Sequence, residues 1–379
     1  MVVLMASVVQ VSAFDVQQYE TIANSVLQTS KANVMKLQDS TLNMANQFVN
    51  IDTTTTTSTT SWPYVLLNNF EDIAIDIMTN NDDGGGIQLL DQLAYSPLVT
   101  PENLITFESF ALQQRIGGTT TTGSGADVWG VDSNTKQKYH DNFDGLTSWN
   151  SPKYVYFPIL QHNLGSKHDI LLYNLHSDPT TGKLIDNVLD CAASSGAAST
   201  NTSCGLISNL IIYENIAVPS SSSSARSSPS SAIIQPIVID GNKGTTTGII
   251  FSSFQWTNVL KSYDLSSSIT QNLLGVLSTA SGGAGSYSSD SNTVTYSINK
   301  GGSVYFFGYG DLHDTKLDQY NKSISLVEGI NDDDNDNDGS PTYTLTIYPA
   351  SGSTFVSTTM IVFWLSIITT ITTATVVFF

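Results

Sequence analysis

The chain has 379 residues, of which 40% are apolar and only 12% are charged, and its net charge is −19. Such a chain can bury a core, and its polar surface is supplied mainly by Ser, Thr, Asn and Gly. The 14 Lys and Arg residues are spread thinly, so there is no basic patch for nucleic acid or for an anionic lipid surface. We therefore expect no nucleic-acid partner.

The N-terminal segment, residues 1–15, is apolar and begins without positive charge. Small residues around Ala13 offer a cleavage site, so the segment is either an atypical signal peptide or a truncated first transmembrane helix. Both alternatives place the chain that follows outside the cytosol.

The next part of the chain is predicted to be helical. Over residues 16–49 apolar side chains recur at steps of three and four, which predicts one long amphipathic helix. Residues 62–116 are predicted to be a helical region, with helices around residues 68–79, 88–93 and 100–116.

In the middle of the chain the spacing of apolar residues changes from a helical to a strand pattern. Short runs rich in β-branched and aromatic residues predict strands: KYVYFPIL, HDILLYNL, GLISNLIIYENI, SAIIQPIVID, TTTGIIFSSFQW, NTVTYSINKGG, GSVYFFGYG and PTYTLTIYPA. Helices are predicted in DPTTGKLIDNVLDCAASSG and TNVLKSYDLSSSITQNLLGVLS. Strands with helical insertions after a long leading helix indicate an α+β fold.

The two cysteines, Cys191 and Cys204, flank a Ser/Ala loop. Two thiols are too few for a metal cluster, and a local disulfide is expected if the compartment is oxidising. Glycosylation sequons at Asn201 and Asn321 agree with such a compartment. The exterior location of the domain depends on these features.

Near the C-terminus, an acidic linker at residues 329–340 contains the run DDDNDND. Aligned as an EF-hand loop, its twelfth position is Leu345, where a calcium loop needs Glu. We therefore interpret the run as a solvated acidic loop.

The final segment, residues 355–379, has no charged residue. As a helix it would extend about 37 Å, enough to cross a hydrocarbon core of about 30 Å. We predict a C-terminal transmembrane helix in contact with membrane lipid. The alternative is a glycolipid-anchor signal cleaved near Gly339 and Ser340.

No catalytic, metal-binding or cofactor-binding motif is visible. The five His residues show no metal-ligand spacing, and no nucleophile elbow stands between a strand and a helix. Asp311, His313 and Asp314 follow a predicted strand, where such spacing is common in turns. We predict that they form a hydrogen-bonded turn that ties the last lobe to the pre-membrane strand.

The stretch TYSINKGGSVYFFGYGDLHDTKLDQY resembles the ectodomain of receptor-type guanylyl cyclases of microalgae. DSTLNMANQF, SWPYVLLNNFEDIA, KYVYFPILQ, TTGIIFSSFQWTNVL and YTLTIYP agree with that family in order. The resemblance implies a cytoplasmic cyclase domain that this sequence does not include. As the chain stands, we therefore expect no enzyme activity.

The middle of the chain also resembles a distant CHASE-type sensor domain, on YNLHSDPTTGKLIDNVLDCAASSG and SAIIQPIV. This resemblance implies a sensor domain over residues 16–349, with PAS-like mixed α/β lobes in residues 150–325, and dimerisation through the leading helix. Strand aromatics line the ligand pockets of such lobes, which makes candidates of Tyr156, Tyr173, Phe254 and Trp256. The alternative for each is an ordinary core residue.

Two functions remain open. The first is an extracellular sensor of a small ligand in a membrane receptor. The second is a glycolipid-anchored surface glycoprotein with an adhesive or structural role. A secreted hydrolase is a third hypothesis, and no arrangement of catalytic residues in the sequence supports it.

Overall fold

The computed structural model describes residues 16–54, 62–79, 89–114, 127–131, 138–140, 153–163, 170–194, 204–208, 228–238, 246–261, 272–280, 293–327 and 342–350. Several predicted features lie outside these residues: the N-terminal segment 1–15, Asn201, the acidic linker 329–340 and the predicted span 355–379. Within the described part of the chain, none of the helices combines the length and apolar character needed to cross a membrane.

The fold is α+β, with a long N-terminal helix and two five-stranded antiparallel sheets. The helices are α1 (Val16–Thr54), α2 (Phe70–Thr79), α3 (Leu104–Gln113), α4 (Pro179–Ser194) and α5 (Trp256–Val259). The strands are β1 (Gln92–Pro97), β2 (Trp129–Val131), β3 (Lys138–His140), β4 (Gln161–His162), β5 (Leu206–Ile207), β6 (Ser230–Val238), β7 (Thr246–Gln255), β8 (Leu273–Ala280), β9 (Thr293–Ile298), β10 (Val304–Tyr309), β11 (Lys322–Val327) and β12 (Thr342–Pro349).

Helix α1 confirms the prediction of a long leading helix. Its 39 residues extend about 58 Å, and its apolar stripe is buried at Tyr19, Ile22, Val26, Val34, Leu37, Ala45 and Phe48. The C-terminal half of α1 contacts the first sheet, where the hydroxyls of Thr41 and Ser252 are 2.9 Å apart. The N-terminal end contacts the second sheet at Ile347. The helix therefore spans both sheets.

The first sheet has the strand order β4-β1-β7-β6-β5. Its inner face, which packs on α1, includes Tyr95, Ile233 and Ile250. On its outer face, Ile234 and Phe251 belong to a second buried cluster that includes residues of α4. Both faces of this sheet are covered.

The second sheet has the strand order β10-β9-β8-β12-β11. Its inner face contributes Leu277, Tyr296 and Leu345 to the cluster shared with α1. Its outer face has a small cluster of Leu274, Val276 and Tyr348. The short strands β2 and β3 pair separately.

Two predicted helices are wrong in part. Gln92–Pro97, which includes the end of the helix predicted at residues 88–93, is strand β1 and pairs with β7. Of the helix predicted at residues 257–278, the described residues form the single turn α5 at its start and strand β8 (Leu273–Ala280), between β9 and β12, at its end. Short apolar runs fit either period, and pairing with neighbouring strands decides between them.

Candidate functional site

A buried hydrogen-bond chain joins the two sheets. Trp256 Nε1 donates to Ser231 Oγ at 2.9 Å, and Ser231 Oγ lies 3.0 Å from Tyr343 Oη. Tyr343 Oη in turn donates to the backbone carbonyl of Ser208. Ser231 is on β6 and Tyr343 is on β12, so a strand of the second sheet is bonded to the first.

Burial makes this connection costly to break. Trp256, Ser231 and Tyr343 have no exposed surface, and the Trp256 and Tyr343 rings are 4.8 Å apart. Burial raises the pKa of Tyr343, which the hydrogen bond from Ser231 only partly offsets. A buried hydroxyl that loses its partner keeps its full desolvation cost, so the chain favours one fixed arrangement.

The other end of β12 contacts the first turns of α1. Tyr19 Oη donates to the carbonyl of Ile347 at 2.8 Å, and Glu20 pairs with Lys322 of β11 at 2.8 Å. Burial is the main reason that the pKa of Tyr19 is raised, with further contributions from Tyr348 and Glu20. Strand β12 therefore contacts the first sheet near its start and α1 near its end.

The predicted turn residues lie beside the same end of β12. His313 contacts Asp311 through Nδ1 and Asp318 through Nε2, and its ring stacks on Tyr348 with centroids 3.9 Å apart. The Asp314 side chain accepts from Lys316 N at 3.1 Å and so begins the 3-10 helix at residues 315–320. Asp318 is the partner that the sequence analysis did not identify.

The four predicted pocket aromatics are buried in two different clusters. Tyr156, Phe254 and Trp256 lie in the cluster shared with α1, and Phe254 and Trp256 are 5.2 Å apart. Tyr173 lies in the outer cluster of the first sheet, 4.9 Å from Trp129. The four side chains therefore do not form one group, and their role in ligand binding stays a prediction.

The outer cluster of the first sheet contains buried polar groups under α4. His176 Nε2 and Asp186 Oδ1 are 2.9 Å apart, and Asn174 Oδ1 accepts from the backbone of Phe157 at 2.8 Å. The predicted disulfide is confirmed: Cys191 in α4 and Cys204 before β5 are bonded, with 5.6 Å between their Cα atoms. The disulfide fixes α4 over this cluster.

A groove of about 550 Å³ runs along the edge strand β4. Its walls are residues 66–72, residues 160–162 and Leu171. The Gln161 amide bonds to both the N–H and the carbonyl of Leu67, so the groove is held to the sheet. None of the predicted pocket aromatics lines it.

Asp91 is another residue that the sequence analysis missed. Burial raises the pKa of its carboxyl to about 6, although Gln255 and Lys261 act in the opposite direction. It lies just before β1, and Asn258 of α5 donates to it at 3.4 Å. Among the described residues, no group of three His, Cys, Asp or Glu side chains is arranged to hold a metal ion.

Comparison with known proteins adds no family to these observations. No model of a known family matches the chain, and no curated protein matches it significantly. The resemblances to cyclase ectodomains and to CHASE-type domains therefore remain predictions from the sequence.

Proposed function

We propose that residues 16–349 form the extracytoplasmic sensor domain of a membrane-anchored receptor, which detects a small ligand and transmits its binding to the membrane. The observation that carries this proposal is the position of β12. It is bonded to the first sheet through Tyr343 and to α1 through Ile347. The start of α1 and the end of β12 therefore lie at the same end of the domain.

The two sheets, each packed on α1, are consistent with the PAS-like lobes that the CHASE resemblance implies. In this proposal the first sheet receives the ligand. Its outer face has a second core under α4, and the groove along β4 is open to solvent. Ligand pockets of this size are usually concave and lined mainly by apolar side chains with a few polar groups, and Leu66, Phe70 and Leu160 supply apolar walls here.

Transmission requires an element with two arrangements that ligand binding biases. Strand β12 is suited to this role because it belongs to the second sheet and yet contacts the first through Trp256 and Ser231. A shift of β6 or α5 would move Tyr343, and the strand would carry that movement toward Ile347. The output would then be a change in the relative position of α1 and β12.

Membrane attachment and orientation are tested on the full chain expressed in cells. We expect membranes to retain it through salt and alkaline washes, and glycosidase to reduce its mass through loss of the Asn321 glycan. Asn321→Gln should abolish that part of the mass change, and Gln319→Asn, which creates no sequon, serves as the matched control. A chain that salt alone removes from membranes would refute the proposal.

The nature of the anchor separates the sensor from the glycolipid-anchored glycoprotein. Release by a phospholipase specific for glycolipid anchors would favour the glycoprotein. Sequencing the transcript beyond the codon for Phe379 would favour the receptor, if the frame encodes Lys or Arg followed by a cyclase domain.

Transmission is tested by cross-linking across the junction. In the double variant Gln18→Cys, Ala350→Cys, one cysteine lies in α1 and the other after β12. The rate at which the two cross-link should change when a ligand occupies the first sheet. Tyr343→Phe should weaken that response. Tyr305→Phe removes an exposed hydroxyl of the second sheet and should leave it unchanged.

A further inference from the structure

The His313 ring is held between two carboxylates. Nδ1 contacts Asp311 and Nε2 lies 2.5 Å from Asp318, while only 11% of the side chain is exposed. A neutral imidazole has one N–H donor, and a carboxylate accepts but does not donate. Both contacts are hydrogen bonds only when the ring carries two protons, so this geometry is that of an imidazolium.

The same ring covers the end of β12. It is nearly parallel to the Tyr348 ring, with an interplanar angle of 10°. Tyr348 is 7% exposed and follows Ile347, whose carbonyl accepts the Tyr19 hydroxyl. His313 thus touches the strand one residue from its contact with α1.

The chain before His313 is fixed to the outer face of the second sheet. Thr295 Oγ1 donates to the Gly310 carbonyl at 2.7 Å and accepts from Leu312 N at 3.1 Å. The Leu312 side chain fills the space over Gly308, where an added Cβ would lie 2.6 Å from it. One side of the turn is therefore fixed without His313, while the 3-10 helix beyond it is joined to the turn through Asp318.

The neighbouring charged groups Asp314, Glu20 and Lys322 make contacts of their own. Asp314 caps the 3-10 helix, and Glu20 and Lys322 pair with each other. Burial lowers the pKa of His313, but hydrogen bonds and charge interactions with Asp311 and Asp318 outweigh it, so the pKa is raised. The pKa values of Tyr19 and Tyr348 are also raised, mainly by burial, which keeps both hydroxyls neutral where His313 titrates.

We propose that His313 is a proton-binding site that clamps the 3-10 helix at residues 315–320 to the end of β12. The imidazolium bonds both carboxylates and stacks on Tyr348. When the proton leaves for solvent, one of the two hydrogen bonds is lost, and Asp311 and Asp318 are no longer neutralised by the ring. The 3-10 helix then loses its contact with β12 at Asp318, while Tyr320 stays packed against the core, and the junction with α1 loosens.

The direction of the pH effect follows from the raised pKa. The clamp is fully formed below about pH 6.5, the ordinary pKa of His, and is lost as the pH rises through the higher pKa of the folded state. External acidity would thus fix the end of β12. The existence of the clamp does not require the receptor function, but its use as a signal does depend on the proposed function.

Hydrogen exchange of the full chain in detergent tests the clamp at pH 5.5, 7.0 and 8.5, after correction for intrinsic exchange rates. In the wild type, protection of peptides covering residues 315–320 and 342–350 should fall several-fold between the lowest and highest pH. His313→Asn should show low protection at every pH. Glu20→Gln breaks the neighbouring ion pair, and should lower protection while retaining the pH dependence of the wild type.

A second measurement applies even if His313→Asn does not fold. Asp318→Asn keeps the contact with Asp311, and an NMR titration of the His313 ring should give a lower pKa than in the wild type. An unchanged pKa, or equal pH dependence of exchange in wild type and His313→Asn, would overturn the clamp. A pH-dependent clamp in a protein that transmits nothing to the membrane would instead refute the proposed function.

Discussion

The two five-stranded sheets pack on the same helix but differ in their outer faces. In the first sheet, β6 is buried at every residue from Ser230 to Ile237, because α1 covers one face and α4 covers part of the other. In the second sheet, β12 alternates, with Tyr343, Leu345 and Ile347 buried and the intervening residues through Thr346 half-buried. A continuous buried run and an alternating one are the patterns of sheets covered on two faces and on one.

In the proposed sensor, this difference corresponds to a division of roles. The first sheet has a buried core on each face, and the groove along β4 opens at its edge. The outer face of the second sheet is rich in hydroxyls, including Ser278, Thr295 and Thr344, and the turn with His313 lies on it. In that proposal the second sheet connects α1 and β12, and the first sheet binds the ligand.

The largest expected effect tests whether the two sheets depend on each other. Trp256→Ala should lower the free energy of unfolding by about 3–5 kcal/mol, because a large side chain at the contact of both sheets is replaced by a cavity. Urea denaturation followed by fluorescence and by circular dichroism measures it. Phe307→Ala, at a ring that is 52% exposed, should change the free energy by less than about 0.5 kcal/mol. Equal effects of the two changes would contradict a shared core.

Reduction of the disulfide should affect the first sheet more than the second. Loss of the Cys191–Cys204 bond should lower the free energy of unfolding by about 3 kcal/mol, since it closes a short loop in the unfolded chain. Hydrogen exchange should increase more in α4 and β5 than in β11 and β12, because the disulfide restrains the first two directly. The double variant Cys191→Ser, Cys204→Ser should not respond to reductant. An equal increase in both sheets would show that the disulfide acts on the whole domain and not locally.

Tyr343→Phe tests how much the hydrogen bonds between the two sheets contribute to stability. It leaves the buried carbonyl of Ser208 without this donor and should cost about 1–3 kcal/mol in the free energy of unfolding. Thermal and urea unfolding measure the loss. Tyr305→Phe removes an exposed hydroxyl from the same sheet and should be nearly neutral. A neutral Tyr343→Phe would mean that packing alone joins the sheets.

The smallest expected change in the free energy of unfolding concerns Asp91, which lies beside the first sheet. The pKa of Asp91 is raised to about 6 by burial, so its carboxyl favours the folded state when protonated, and this stabilisation is lost as the pH rises through about 6. Asp91→Asn should therefore stabilise the protein at pH 7.5, by about 1 kcal/mol because partial solvation reduces the effect, and give no gain at pH 4. Unfolding free energies at both pH values test this. The exposed acid Glu102 gives the control variant Glu102→Gln. Equal gains at pH 4 and pH 7.5 would exclude the titration of Asp91 as the cause.

The sequence by itself determined the features that depend on nearby residues. The apolar steps from Tyr19 to Phe48 define α1 because a helix brings residues three and four apart to one face. The alternation in β12 and the approach of Cys191 to Cys204 depend likewise on short stretches. These predictions needed no knowledge of the partner strands.

Only the tertiary structure decided which distant residues meet. Leu273–Ala280 is a strand because β9 and β12 supply hydrogen-bond partners on both sides, although its apolar run also fits a helix. Tyr173 and Trp256 lie in different clusters because Tyr173 packs with residues of α4 on the outer face of the first sheet, whereas Trp256, in α5, packs with residues of α1 and with Tyr343. The bonding of Tyr343 to Ser231, 112 positions away, likewise depends on sheet packing, which no local pattern encodes.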